Sequence, residues 1–152
     1  MNADLATVLL LYRKLADRRV RYLLGAKAAA SLRTDQIDEL DCSGFVRYVM
    51  QRAGVTAFPD GSQIQWEWVR NRWRQLRQYS DVAYAKADPN RLFIAFAAER
   101  RDALGRRRLG HVWLVCMGKT MESYGSVGVG SRSWSHATLR KIVSGTYEVP
   151  LV

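Results

Sequence analysis

Glu39-Leu40-Asp41-Cys42-Ser43-Gly44-Phe45-Val46 is the stretch that decides the fold. The small residues Ser43 and Gly44 after the cysteine let a helix begin there, with the thiol in its first turn. Phe45, Val46, Val49 and Met50 then fall on one inward face, and Gly54 supplies the stop, so the pattern predicts a helix from Cys42 to about Ala53. A thiol at a helix N-terminus meets the positive end of the macrodipole and the unpaired N–H groups, an environment that favours thiolate over thiol. A buried structural cysteine is the alternative reading, but Asp41 before it and Ser43-Gly44 after it suit an exposed helix start better.

Upstream, residues 4–18 read as a helix with Leu5, Val8, Leu9, Tyr12 and Leu15 on one side. Tyr22-Leu23-Leu24-Gly25 is a short apolar segment, and residues 26–40 have no period and predict an irregular approach to Cys42. Downstream, Phe58-Pro59-Asp60-Gly61 is a turn, with Ser62 the N-cap of a third helix to about Gln75. After Asp88-Pro89-Asn90 the pattern becomes extended. Leu92–Ala97 and His111–Met117 read as strands, and Gly118-Lys119 turns the chain into Thr120–Tyr124. Gly125, Gly128 and Gly130 mark a loop, and Tyr147–Val152 reads as a last strand. Helices first and strands afterwards give an α+β class, with an antiparallel sheet packed on the helix that carries Cys42. Residues 1–152 show no repeat or linker and are expected to form one domain.

A nucleophilic thiol needs a base, and the chain has only His111 and His136. His111 opens an apolar strand after Gly110, whereas Ser135-His136-Ala137 reads as a polar surface loop. The base needs a third group to hold its tautomer. Glu122 is placed for that, opposite His111 if the hairpin is tight; its other reading is a solvent-facing strand residue. Tyr22 is either a core aromatic or a hydroxyl beside the thiol, where it would help bind an oxyanion together with the backbone N–H of Cys42. Asp41 and Ser43 flank the thiol and are candidate substrate-binding residues. Cys116, within the apolar run Trp113–Met117, reads as core.

Lysine and arginine exceed acidic residues by ten, which favours polyanionic neighbours without choosing among them. The densest run, Arg106-Arg107-Arg108 after Arg100-Arg101, reads as a loop just before His111. Trp and Arg interleave between Trp66 and Arg77, but Ile64, Trp68 and Val69 at helical spacing fit a core helix, so nucleic acid is not an expected partner. Two cysteines make no disulfide framework, and the two isolated histidines make no metal site. No cofactor is expected. Residues 1–17 fit neither a signal peptide nor a membrane span.

With these residues in place, the sequence resembles the NlpC-like cysteine peptidases, papain-like enzymes of bacterial peptidoglycan. Asp41-Cys42-Ser43-Gly44-Phe45-Val46 is similar to their nucleophile motif and Gly110-His111-Val112 to their histidine motif. Tyr22-Leu23-Leu24-Gly25-Ala26 resembles their upstream tyrosine segment. Pro89-Asn90-Arg91-Leu92 resembles the usual Pro-Gly-Asp-Leu strand entry, with Asn90 and Arg91 in place of Gly and Asp. Glu122, in Met121-Glu122-Ser123, stands where the family often has a histidine.

The resemblance covers about residues 20–125. It implies N-terminal helices on a central antiparallel sheet, Cys42 as nucleophile, His111 as base, Glu122 as orienting group and Tyr22 in support. The implied reaction cleaves peptidoglycan stem peptides, such as γ-D-glutamyl to diamino acid bonds, through a thioester acyl-enzyme.

The compact architecture also resembles delivered amidase effectors and phage-borne wall hydrolases. That likeness implies action at the cell wall or periplasm after passage by another route, with an immunity or delivery protein as partner. Two other readings stand beside it: a papain-like acyltransferase or thioesterase, and a basic non-enzymatic module that binds wall polymer or nucleic acid.

Overall fold

The computed structural model describes residues 1–78 and 88–152. Among them, three helices come first: α1 (Leu5–Asp17), α2 (Cys42–Arg52) and α3 (Ser62–Arg70). The strands follow as β1 (Phe93–Ala97), β2 (Arg100–Arg101), β3 (Arg107–Arg108), β4 (His111–Cys116), β5 (Lys119–Tyr124) and β6 (Gly128–Gly130). A short α4 (Ala137–Ile142) precedes β7 (Gly145–Glu148). The fold is α+β. Its main sheet has the order β6-β5-β4-β1-β7 with every pairing antiparallel.

Alternation along the strands divides the core. Ile94, Phe96, Val112, Leu114 and Met121 pack with α1 and α2, while Phe93, Ala95, Trp113 and Val115 meet Leu139 of α4 on the other face. Helix α2 lies against β4 and β5, and its Phe45, Val46, Val49 and Met50 have no exposed surface. At about 1.5–3 kcal/mol per fully buried large apolar side chain, this seam is the main force seating α2 on the sheet.

Several boundaries differ from the sequence reading. The turn between β4 and β5 is Met117-Gly118, not Gly118-Lys119; both have positive φ (53° and 76°), as a two-residue hairpin of primed type requires. Helix α3 starts after Gly61 rather than on a Ser62 cap, and it stops at Arg70. The next residues are captured by the sheet edge: the Leu76 N–H donates to Thr146 and the Glu148 N–H to Arg74, so they cannot continue a helix. The last strand ends at Glu148; the Val149 N–H extends its pairing by one bond to Leu92, and beyond it Leu151 bridges Ala3. The glycine segment expected as a loop includes the edge strand β6, and the expected arginine loop is the β2–β3 hairpin. His136 precedes α4, a helix not foreseen, with its Nδ1 accepting from the Thr138 N–H at 3.3 Å.

Gly128 shows why β6 begins with glycine. Its φ is +85°, and a Cβ there would fall on the Val20 carbonyl oxygen, which accepts from the Val129 N–H at 2.9 Å. We predict that Gly128→Ala destabilises the protein by about 1–3 kcal/mol in chemical denaturation, through overpacking and backbone strain. Gly125, where a Cβ would meet nothing within 4 Å, should accept alanine within about 0.5 kcal/mol. A Gly128→Ala protein as stable as the wild type would contradict this close approach.

Candidate active site

Cys42 is the first residue of α2, and its position follows from the residue before it. Asp41 caps the helix: its Oδ1 accepts the Gly44 N–H at 2.7 Å. The same carboxylate accepts the Gly25 N–H at 3.0 Å and the Lys27 ammonium at 2.7 and 2.8 Å. Lys27 also donates to Ser43 Oγ at 2.7 Å and pairs with Asp60 at 3.1 Å. A Cβ on Gly44 would lie 2.6 Å from the Ala26 carbonyl oxygen, so glycine lets the upstream segment press against the helix start. Asp41 and Ser43 line the cleft, yet their side-chain polar atoms are engaged with Lys27, Gly25, Gly44 and each other.

The cleft has a volume of about 250 Å³, with Tyr22, Leu24, Cys42, Gln63 and Leu109 among its walls. Tyr22 is half-buried in it. Desolvation first, then the nearness of Cys42 and Asp41, raises the Tyr22 phenol above its ordinary value, so its hydroxyl keeps its proton at neutral pH.

His111 opens β4, its side chain 16% exposed and its ring stacked on Trp113 at 5.3 Å. Its Nε2 lies 2.8 Å from Glu122 Oε1, and the Cys42 side chain is near enough to help raise its pKa. With Nε2 on the carboxylate, Nδ1 remains for the sulfur. The pairing Leu114–Met121 and Val115–Thr120, continued along the strands, sets Tyr124 opposite His111. The expectation that Glu122 lies directly opposite His111 is therefore corrected: the two are diagonal neighbours on one sheet face, a separation that long side chains close.

Glu122 is completely buried, not solvent-facing. Arg132 grips it with two bonds, Nη2 to Oε1 at 2.5 Å and Nε to Oε2 at 3.1 Å, and the Thr120 hydroxyl donates to Oε2. Burial alone would raise the pKa of this carboxyl, but its bonds to His111, Arg132 and Thr120 outweigh that and hold it down at about 2. Burial would likewise lower the pKa of His111; the bonds and charges of Cys42 and Glu122 reverse the sign and lift it to about 9.

The structure thus brings Cys42, His111, Glu122 and Tyr22 to one end of the sheet. His136 stays apart as the cap of α4, and Cys116 packs in the core, its thiol raised above its ordinary value chiefly by burial. Sequence reasoning missed Lys27, Thr120 and Arg132. Thr120 was findable, two residues before Glu122 on the same strand face. Arg132, ten residues on in a Ser-rich loop, had no local signal.

The pKa shifts carry a sign for stability. The His111 contribution is complete below its unfolded value near 6.5 and is lost as pH climbs toward 9, whereas that of Glu122 is complete above about 4.5 and is lost as pH falls toward 2. We predict that the His111 ring titrates near pH 9 by NMR, and that Glu122→Gln lowers this midpoint by about 1–3 units. A midpoint that Glu122→Gln leaves in place would mean the carboxylate does not support the imidazolium.

A scan of family models against the sequence finds no match, and a search of curated proteins finds none either. Solved structures do match. The NlpC/p60 domain of the peptidoglycan hydrolase SagA aligns over 95% of this chain and 97% of its own at 15% identity, with a TM-score of 0.57. The P60 domain of the M. avium subspecies paratuberculosis antigen MAP1204 aligns over 97% and 96% at 19% identity, with a TM-score of 0.54. Helices α1 to α3, with Cys42 at the start of α2, and the antiparallel sheet that follows them have the fold of the NlpC/p60 domains.

Proposed function

We propose that residues 1–152 form a single cysteine hydrolase domain that cleaves peptide bonds in bacterial peptidoglycan stem peptides. The observation that carries this reading is Cys42 at the start of α2 near His111, whose ring is hydrogen-bonded to the buried Glu122, beside an open cleft. The peptidoglycan substrate is supported by the fold shared with a domain of a peptidoglycan hydrolase.

In the proposed reaction, the Cys42 proton has passed to His111 Nδ1 before substrate arrives, and the thiolate adds to the scissile carbonyl carbon. Negative charge moves to the carbonyl oxygen, where the Cys42 backbone N–H at the helix start and the Tyr22 hydroxyl are the proposed donors. The intermediate collapses as the imidazolium protonates the leaving amine, the C–N bond breaks, and a thioester remains on Cys42. The now neutral imidazole removes a proton from water, which attacks the thioester. The carboxylic acid leaves, and the thiolate–imidazolium pair is restored. Glu122 keeps the ring oriented and favours its charged form throughout. Asp41 and Ser43, proposed from the sequence as substrate-binding, reach the substrate in this reading through the cleft wall they build.

We predict that Cys42→Ala lowers hydrolysis of purified muropeptides, followed by mass spectrometry of the fragments, by about 10³-fold or more. His111→Ala should cost about 10²–10⁴-fold. Cys116→Ala and His136→Ala should keep most activity, since neither residue touches the cleft. Wild-type turnover by Cys42→Ala, or an inactive His136→Ala beside an active His111→Ala, would overturn the assignment.

The β2–β3 hairpin sets arginines beside the cleft wall at Glu99 and Leu109. Glu99 pairs with Arg107, and Asp102 with Arg106 and Arg108. Arg101, Arg106, Arg107 and Arg108 are exposed and subject to screening beyond about 10 Å at ~0.1 M ionic strength. Binding to intact anionic sacculi should therefore weaken in co-sedimentation as salt rises, while cleavage of a small neutral muropeptide should barely change. Salt-independent sacculus binding would assign the basic surface another task.

A further inference from the structure

We propose that Arg132 is a positioning residue for His111: by holding both oxygens of Glu122, it keeps that carboxylate a pure hydrogen-bond acceptor and so commits Nδ1 of the imidazole to Cys42. The inference rests on the reading of Cys42 and His111 given above.

Counting the thiol proton, two protons are shared among the Cys42 sulfur, the imidazole and the buried carboxyl group. With Glu122 a carboxylate, it accepts from Nε2–H and Nδ1 takes the thiol proton, which gives an imidazolium beside a thiolate. With Glu122 a carboxylic acid, the proton of Nε2 has moved to the carboxyl group, which donates back to Nε2. The ring is then a neutral Nδ1–H tautomer that has no positive charge for the sulfur and no free nitrogen to act as the base. Burial favours the second arrangement, because an ionised carboxylate without counter-charge is costly in a low-dielectric site. Arg132 removes that option. Its two N–H groups occupy one lone pair on each oxygen, at 2.5 and 3.1 Å, while His111 and Thr120 take the other positions. Protonating either oxygen would break a charge-assisted bond.

Arg132 is itself fixed. Its backbone N–H donates to Thr120 Oγ1 at 2.7 Å, and its carbonyl accepts the Thr120 N–H at 2.8 Å. Its guanidinium lies over the Tyr124 ring at 4.2 Å, and the side chain is 18% exposed. From α1, Tyr12 also feels Glu122; burial foremost raises this phenol above its ordinary value, so it stays neutral and brings no competing charge. With thiolate, imidazolium, carboxylate and guanidinium together, the series is neutral overall. Without Arg132 it would hold one uncompensated negative charge.

Two measurements test this. The first is ¹⁵N NMR of the histidine rings, of which there are two, with His136→Ala giving the assignment. Above its titration midpoint, wild-type His111 should carry hydrogen on Nε2 and none on Nδ1. The second is the pH dependence of Cys42 alkylation by iodoacetamide, localised by mass spectrometry. In Arg132→Gln the acid limb of that rate should move up by about one to three pH units as Glu122 becomes able to take a proton. The ring should also lose its single tautomer. Arg132→Lys keeps the charge without the two-point grip and should recover most of the limb.

A wild-type ring protonated on Nδ1 overturns the proposal without any variant, even if Arg132→Gln fails to fold. So does an Arg132→Gln protein with a lower melting temperature but an unchanged tautomer and acid limb, the result of a merely structural clamp. Cys42 alkylation that is unaltered in His111→Ala would instead remove the underlying assignment of the base.

Discussion

The carboxylate of Asp41 holds the start of α2, and the placement of every other group in the cleft is referred to that point. It caps the helix through the Gly44 N–H, draws in the upstream chain through the Gly25 N–H, and pairs with Lys27 at a site almost closed to water. A cap of this kind contributes about 0.5–2 kcal/mol to a helix. Its larger consequence is geometric. The cap ties down the first turn and so fixes where the Cys42 backbone enters the cleft. Ser123 adds a second tie by donating to the Leu40 carbonyl at 2.7 Å, which fastens the residue before the cap to β5.

The sheet supplies the other half of the arrangement. A two-residue turn at Met117-Gly118 sets the β4–β5 register, and alternation then sends His111, Thr120 and Glu122 to one face. The opposite face carries Leu114 and Met121 into the helix-side core. The same strands therefore anchor α2 through one face and present the imidazole and carboxylate through the other. A register slip of a single residue would exchange the two sets.

Electrostatics in the cleft is a contest that burial loses. Desolvation opposes charge on both His111 and Glu122, yet each ends ionised near neutral pH because the bonds between them, and from Cys42, Arg132 and Thr120, are stronger. In the proposed mechanism this keeps an imidazolium beside the sulfur before substrate arrives, which is preorganisation of the kind that avoids reorganising charge during the reaction.

The local pattern around Cys42 was sufficient to foresee a helix beginning at the thiol, the strand led by His111, the paired strand carrying Glu122, and the α+β order. Each of these depends on neighbours within one or two turns or on period-two alternation. The edges of the molecule were less legible. Arg74–Leu76 leave the helix because β7 offers them hydrogen bonds, and Pro150–Val152 leave the sheet because the N-terminal segment at Ala3 claims them. The clamp on Glu122 was invisible for the same reason: Arg132 meets Thr120 and Glu122 only after β5, β6 and the following segment have folded side by side. Composition and periodicity determined which residues enter the cleft from helix and strand. Tertiary structure decided which charges surround them, because a buried ion pair forms between groups that are distant in sequence and is set by packing rather than by local propensity.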